Sequence, residues 1–428
     1  MKKFILTLII CVFFIVPAFS TGSVYAFYNE EIVFIYNHKE FKYSLSRNIK
    51  SSKQFDINYN LNKYNRFKSK EDRQKLLRTL LNIGITNDIA LEYLFPNLQA
   101  KINLIAKNIN SPAKNAQLET NTNSDNVFTI HKERIGIALD RNLLYANLIN
   151  SYLNNKQLTF QIPTLTTQPD ITHNDLSKFT NLRSSFSTNI SNSTLDRKHN
   201  IKNALHSLNK IEIAPNEVFS FNKTVGRRSM ENGYRTAKII VNNEFVEGVG
   251  GGVCQVSSTL YNSALLAGLE IIEANKHSKQ VNYVNYGFDA MVNFGSSDLK
   301  FKNNTSQKIT IITNYSPNSI KIRLFGEHLN GISYRTYNEI FNIEEPIEQV
   351  LSDEKHEHLE KVKYTDEFFY LKKGSRGMEI KSYRETLKNG TVLSKELLRH
   401  DKFKVQNSVK IYGYQSRENE KSTDATCA

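Results

Sequence analysis

The segment Glu247-Gly248-Val249-Gly250-Gly251-Gly252-Val253-Cys254-Gln255-Val256-Ser257-Ser258 constrains this chain more than any other stretch. Three consecutive glycines give a backbone open to φ values that other residues avoid, and one that can approach another backbone or a ligand closely. Directly after them, Val256, Leu260, Ala264 and Ala267, with Tyr261 and Leu265, recur at the spacing of a buried helix face. The segment therefore reads as a glycine loop entering a core helix, with Cys254 at or near the helix N-terminus. Free N–H groups and the positive end of the helix dipole stabilise a thiolate there and lower its pKa.

His277 follows this helix, and Asp289 follows the strand-like residues 280–286. A cysteine on a helix start with His and Asp on later strands is the layout of papain-like and transglutaminase-like enzymes, in which His takes the thiol proton and Asp orients the imidazole. Cys254, His277 and Asp289 are the candidate catalytic residues, and Gly250, Gly251, Gly252, Gln255, Ser257 and Ser258 the candidate substrate contacts. A second reading stays open at this point. In it Cys254 is a small apolar residue at a tight glycine packing point, His277 caps the helix C-terminus, and Asp289 bonds turn backbone.

The other two cysteines are Cys11 and Cys427. Cys11 lies within a start, Met1-Lys2-Lys3 then an apolar run over residues 4–19 and a small-residue tail to Ala26, that has the three regions of a secretory signal peptide. Export and a mature start near Phe27 follow; an uncleaved membrane anchor is the alternative. Cys427 sits in a polar tail with nothing to pack, so Cys254 reads as a free thiol and not as half of a structural disulfide. His and Cys never cluster at metal-ligand spacing, and the glycine run lacks the Lys-Ser/Thr of a nucleotide cradle, so no metal and no cofactor is expected.

At 428 residues the chain is too long for one core, and its 39% hydrophobic content is that of a globular protein. A net charge of +14 suits a polyanionic partner. Lys and Arg are spread along the whole length and no nucleic-acid-binding motif is present, so with export the expectation is peptidoglycan or another anionic cell-wall polymer, or a membrane surface, and no nucleic acid.

The expected organisation is α+β and multi-domain. Residues 1–26 form the signal and 27–107 an N-terminal α+β module, with a strand pair around Asn37-His38-Lys39 and helical spacing over residues 70–107. Residues 108–126, rich in Asn, Ser and Thr, read as a linker. A second module over residues 127–180 carries a strand at Phe128, a helix through Leu143 to Leu153 and a strand over residues 157–163; it could form one domain with 27–107. Residues 181–330 are mixed α and β, with a helix over 196–208 and strands at 211–215, 219–221, 238–241 and 245–246. A strand-rich part, 331–414, and a polar tail, 415–428, complete the chain.

Motifs in order over residues 186–312 resemble the VanW family, named from vancomycin-resistance clusters. They are Phe186-Ser187-Thr188; Arg197 with Asn200-Ile201; Pro215 through Asn222; Gly226, Gly233-Tyr234 and Ala237; Gly250 through Asn262; His277-Ser278; Tyr283, Gly287 and Asp289-Ala290; and Asp298-Leu299-Lys300-Phe301 with Asn303. Asn216 departs from the family, which usually has Gly after that proline. The order of Phe128-Thr129-Ile130, Gly136, Asp140, helix, Pro163 and Pro169-Asp170 resembles the peptidoglycan-binding module that often precedes VanW domains. Residues 361–413, with Lys388-Asn389-Gly390-Thr391, are similar to the strand-rich accessory domain named for its five glycines. The resemblance implies an envelope-associated protein acting at or binding peptidoglycan, with a cysteine-dependent hydrolase or acyl-transferase of wall peptides as the alternative.

Overall fold

The computed structural model describes residues 30–44, 69–241 and 244–416. The export segment read over residues 1–26, with Cys11, and Cys427 lie outside the described residues. The chain divides into two compact units, one formed by residues 1–115 and 133–170, the other by 116–132 and 171–428.

In the first unit the strands Glu31–Tyr36 and Lys39–Ser44 form an antiparallel hairpin. Asn37 and His38 both take positive φ, 47° and 65°, which the two-residue turn requires if its twist is to match that of the strands. Alternation places Ile32 and Phe34 wholly inside. The strand read over residues 157–163 is shorter, Thr159–Gln161, and pairs parallel with the first. Helical spacing over residues 70–107 resolves into three helices, Lys70–Asn82, Asn87–Leu94 and Leu98–Ile109. Ser69 caps the first through its side chain, which accepts from the Asp72 N–H, and Pro96 separates the second from the third. A fourth, Arg141–Leu153, is capped by Asp140 and buries Leu144, Tyr145, Leu148, Ile149 and Tyr152.

Residues 108–126 are not an unstructured linker. The third helix runs to Ile109, Ser111 bridges to Ile137 and Lys114 to Arg134, and Gln117–Thr120 is a strand paired with Phe128–His131. This backbone pairs with distant backbone, as where Ser111 N donates to Ile137 O and Lys114 N to Arg134 O, and Asn110 Oδ1 accepts from Leu139 N at 2.8 Å, so no apolar period announced it.

The second unit is built on a four-stranded antiparallel sheet in the order Asn181–Asn189, Ser319–Gly326, Ile309–Tyr315, Glu212–Ile213. Helices Leu195–Leu208 and Val253–Leu266 lie against it, and their apolar faces join Ile311, Ile320, Ile322 and Leu324 in one core. Asn216, where the family carries glycine, has φ 65°, so a left-handed turn is kept by the residue that tolerates it next best. Phe221 does not continue the strand Val218–Ser220 but opens a short helix, Phe221–Val225, because the Ser220 side chain accepts from Lys223 N. Residues 280–286 form no strand.

The C-terminal part is two three-stranded sheets: Ile332–Glu344, Gly377–Lys388 and Thr391–Phe403, and Glu348–Ser352, Ser408–Tyr412 and Phe368–Lys372. The first covers the end of the helix Val253–Leu266: Arg384 Nη1 donates to Leu269 O at 2.7 Å and Leu265 O at 3.5 Å, a cation on the negative end of a helix. Gln415, read as the start of a free tail, is tied back through its backbone to Lys363 and Thr365.

Candidate functional site

Gly252 is the N-cap of the helix Val253–Leu266 with φ 105°, a value that side chains rarely adopt. A Cβ on Gly251 would lie 2.6 Å from Lys238 O, so the loop passes where only glycine fits beside the strand Thr236–Val241. Asn200 staples it: Nδ2 donates to Gly251 O and Arg235 O, and Oδ1 accepts from Arg235 N. Cys254 is thereby held as the second residue of the helix, half-buried, with Sγ 3.5 Å from Val292 O.

The helix is anchored through polar side chains. Gln255 Nε2 donates to Thr188 Oγ1 and Asn189 O, and its Oε1 accepts from Arg197. Ser257 Oγ donates to Ala290 O, and Ser258 Oγ donates to Cys254 O while accepting from Ala290 N. Gln255, Ser257 and Ser258 are buried, and their hydrogen-bonding groups are committed inside the fold. This corrects their reading as substrate contacts: Ser257 and Ser258 hold the helix start against the segment that carries Asp289, and Gln255 ties it to the strand Asn181–Asn189 and to Arg197. Gly251 and Gly252 likewise face protein atoms, and a Cβ on Gly250 would meet Arg228 Cβ at 2.8 Å.

An isolated bridge between Asn275 and Met291 draws two irregular segments together and sets His277 opposite Asp289. His277 is not at the helix C-terminus, since the strand Glu270–Glu273 intervenes. Its Nδ1 lies 2.6 Å from Asp289 Oδ2, which also accepts the His277 backbone N–H at 2.7 Å. One carboxylate oxygen thus fixes both the position and the ring orientation of the histidine. The other oxygen accepts from Arg399 Nη2 at 2.6 Å, while Arg399 Nη1 donates to Asp289 O and Nε to Asp401 Oδ2 at 2.8 Å. Asp289 is not spent on turn backbone alone.

The electrostatics follow. Burial alone would push the Cys254 thiol up, but the hydrogen bond and charge of His277, with the Arg228 charge, outweigh it and hold the thiol below its ordinary value. Burial would likewise lower His277, yet its bonds to Asp289 and Cys254 raise it to about 9. The opposed shifts favour the thiolate–imidazolium form of the pair, which titrates as a unit. Asp289 is held below the usual carboxylate range, because His277 and Arg399 outweigh its burial. Tyr283 lies beside Cys254 with its hydroxyl bonded to Ser258; burial and the Cys254 charge keep that hydroxyl protonated.

The three candidate catalytic residues are thus brought to one place. Arg399, Arg228 and Tyr283 were not read as site residues. Tyr283 stood among the family motifs, whereas nothing local in the sequence marks Arg399, 110 positions beyond the aspartate it holds.

Residues 196–325 match the family of VanW-like proteins, and residues 51–161 match a family described as "Putative peptidoglycan binding domain". The chain is 43% identical over 147 residues to the uncharacterized protein YoaR of Bacillus subtilis, covering 32% of this chain and 48% of that protein. It is 29% identical over 144 residues to the vancomycin B-type resistance protein VanW of Enterococcus faecalis, covering 32% of this chain and 52% of that protein. The chain therefore spans about half the length of the curated relatives it matches. Among solved structures, the IgA1 protease G5 domain aligns at 12% identity with a TM-score of 0.15, over 20% of this chain and 92% of that one. HP0197-G5 aligns at 18% identity with a TM-score of 0.11, over 19% and 99%. These scores are too low to carry an argument. By its family matches, the chain carries a VanW-like domain over residues 196–325, preceded over residues 51–161 by a domain of the peptidoglycan-binding type.

Proposed function

We propose that this is an exported, wall-associated protein whose VanW-like domain performs cysteine-dependent acyl transfer on cell-wall peptides, to water as a hydrolase or to an amine as a transferase. The observation that carries this reading is the half-buried Cys254 thiol coupled to a His277 ring whose Nδ1 is held 2.6 Å from Asp289. Nothing in a purely structural cysteine calls for a depressed thiol pKa and an oriented imidazolium.

The Cys254 thiolate attacks a peptide carbonyl, and the C–N bond breaks as the leaving amine takes a proton from the His277 imidazolium. A thioester and a neutral imidazole remain. Water or an acceptor amine then gives its proton to His277 as it attacks the thioester, which releases the thiolate and restores the imidazolium. Asp289 keeps the ring in the tautomer that presents Nε2 for both transfers. The match of residues 51–161 to a peptidoglycan-binding family supports the choice of wall peptides.

Incubation of the full chain with muropeptides from bacterial walls tests this by mass spectrometry. The expected result is an acyl adduct on Cys254 and new hydrolysed or cross-linked products, both absent from Cys254→Ala. Wild-type and Cys254→Ala protein giving the same products would overturn it. A binding role without catalysis is the second reading, favoured by the same peptidoglycan-binding match and the net charge of +14. It predicts that Cys254→Ala still sediments with wall sacculi at moderate salt and that no turnover is seen with either protein.

A further inference from the structure

We infer that Arg197 and Arg228 form an anion subsite beside Cys254 that receives a carboxylate of the acyl-donor peptide. The inference deepens the proposed acyl-transfer reading and rests on its nucleophile. The two arginines bracket the glycine loop: a Cβ on Gly252 would lie 3.0 Å from Arg197 Cγ, and one on Gly250 would lie 2.8 Å from Arg228 Cβ. Both are half-buried.

Their hydrogen bonds leave the forks unfilled. Arg197 donates from Nη1 to Ser193 Oγ at 2.6 Å and from Nη2 to Gln255 Oε1 at 2.8 Å. Arg228 donates only from Nη1, to Asn222 Oδ1 at 2.7 Å and Gly226 O at 2.8 Å. Every partner is neutral. The nearest carboxylate to Arg228, Asp298, is already taken by Ser220 Oγ and the N–H groups of Asn222 and Leu299. Neither arginine forms an ion pair among the described residues. Elsewhere in this unit Arg384 and Arg399 are paired with carboxylates, while Arg183 and Arg323 donate to backbone carbonyls and an amide. Burial lowers the pKa of both free arginines while Cys254 is among the groups that act against it, which sets both charges within reach of the thiolate.

Two guanidiniums held by neutral acceptors, with Nε and Nη2 of Arg228 uncommitted, suit a planar anion that can take parallel N–H bonds, which is the geometry of a carboxylate. The exposed Phe294 ring lies 6.0 Å from Arg228 Cζ, a cation–π contact that steadies the guanidinium.

The test compares two alkylating probes of nearly equal size on the purified full chain. Iodoacetate and iodoacetamide both form an S–C bond to Cys254 and expel iodide, but only the first carries a carboxylate. Their rate ratio cancels the nucleophilicity of the thiolate, so a change in Cys254 pKa does not move it. The His277 imidazolium also attracts iodoacetate, and it is present in every protein compared. Arg228→Gln is expected to lower the iodoacetate-to-iodoacetamide ratio by about tenfold, the scale of a lost charge-assisted hydrogen bond. Arg228→Lys should fall between, keeping charge without the fork, and Arg197→Gln should move the ratio the same way. Arg197 also holds Gln255, so should Arg197→Gln not fold, Arg228→Gln decides alone. A ratio unchanged within about twofold in folded Arg228→Gln overturns the subsite. Absence of turnover on muropeptides with a ratio that falls as expected would overturn the acyl-transfer reading and leave the subsite standing.

Discussion

Two helices of nearly equal length, one in each unit, are built in opposite ways. Arg141–Leu153 buries Leu144, Tyr145, Leu148, Ile149 and Tyr152, and its position follows from an apolar stripe that any well-filled core would accept. Val253–Leu266 buries Gln255, Ser257, Ser258, Thr259, Asn262 and Ser263 as well as its apolar face. Those polar groups are satisfied one by one: Thr259 Oγ1 lies 2.9 Å from Thr188 Oγ1, Asn262 Nδ2 donates to Phe288 O, and Ser263 Oγ to Ile322 O. A stripe of leucines allows small sliding, whereas a set of directional bonds fixes register and rotation. The helix that must hold a thiol against an imidazole is the one located by hydrogen bonds.

The strongest way to break this comparison is at the cysteine. Cys254→Ala should abolish acyl transfer, by about a thousandfold or more, with only a small fall in the thermal unfolding midpoint, because it removes one sulfur at the edge of the core and its contacts to Val292 and His277 while the helix keeps its other bonds. A large fall in the midpoint would make Cys254 a structural residue. Next is Arg399→Met, which leaves the buried Asp401 without its ion-pair partner and Asp289 with His277 alone, and should cost roughly 3–5 kcal/mol in denaturant unfolding. Asp289 is 9% and Asp401 4% exposed, so water does not rescue them. A neutral outcome would mean that the C-terminal sheet does not stay docked in solution.

Volume-conserving changes sharpen the contrast between the helices. Thr259→Val keeps the shape but removes the hydroxyl that meets Thr188 Oγ1 and Gln255 O, leaving Thr188 only its bond from Gln255, and about 1–3 kcal/mol of stability should be lost. Leu148→Met on the apolar helix should cost less than about 1.5 kcal/mol. Equal costs would remove the distinction.

The smallest effect is a pH dependence. His277 is raised to about 9, so its ion pair contributes stability that is fully present below the ordinary imidazole value and is lost as pH rises through about 9. The wild-type unfolding midpoint should therefore fall across that window more than that of His277→Gln. The depressed thiol gives the opposite limb: iodoacetamide should label Cys254 below the ordinary thiol range, and His277→Gln should move that limb upward. Coincident labelling profiles would show that the ring does not act on the thiol.

Much of this was legible in the chain itself. Local rules were enough wherever a few neighbouring residues decide the outcome. The Asn37-His38 hairpin, the helix Arg141–Leu153 with its Asp140 cap, and the glycine loop that leads Cys254 into a helix all follow from turn chemistry, capping and apolar period. Irregular polar backbone was not legible. Residues 280–286 alternate like a strand but form none, and residues 108–126 make their bridges through backbone pairs to Arg134 and Ile137 without any periodic signal.

By itself the sequence determined that a cysteine would sit on a helix start behind glycines, with His277 and Asp289 downstream in order, because helix entry and backbone freedom are set by adjacent residues. Only the tertiary structure decided that they meet. The bridge between Asn275 and Met291, the burial of Gln255, Ser257 and Ser258, and the reach of Arg399 back to Asp289 depend on contacts between residues 16 to 110 positions apart. A side chain's partner at such separation is chosen by how the packed layers come together, and no local period or propensity records it.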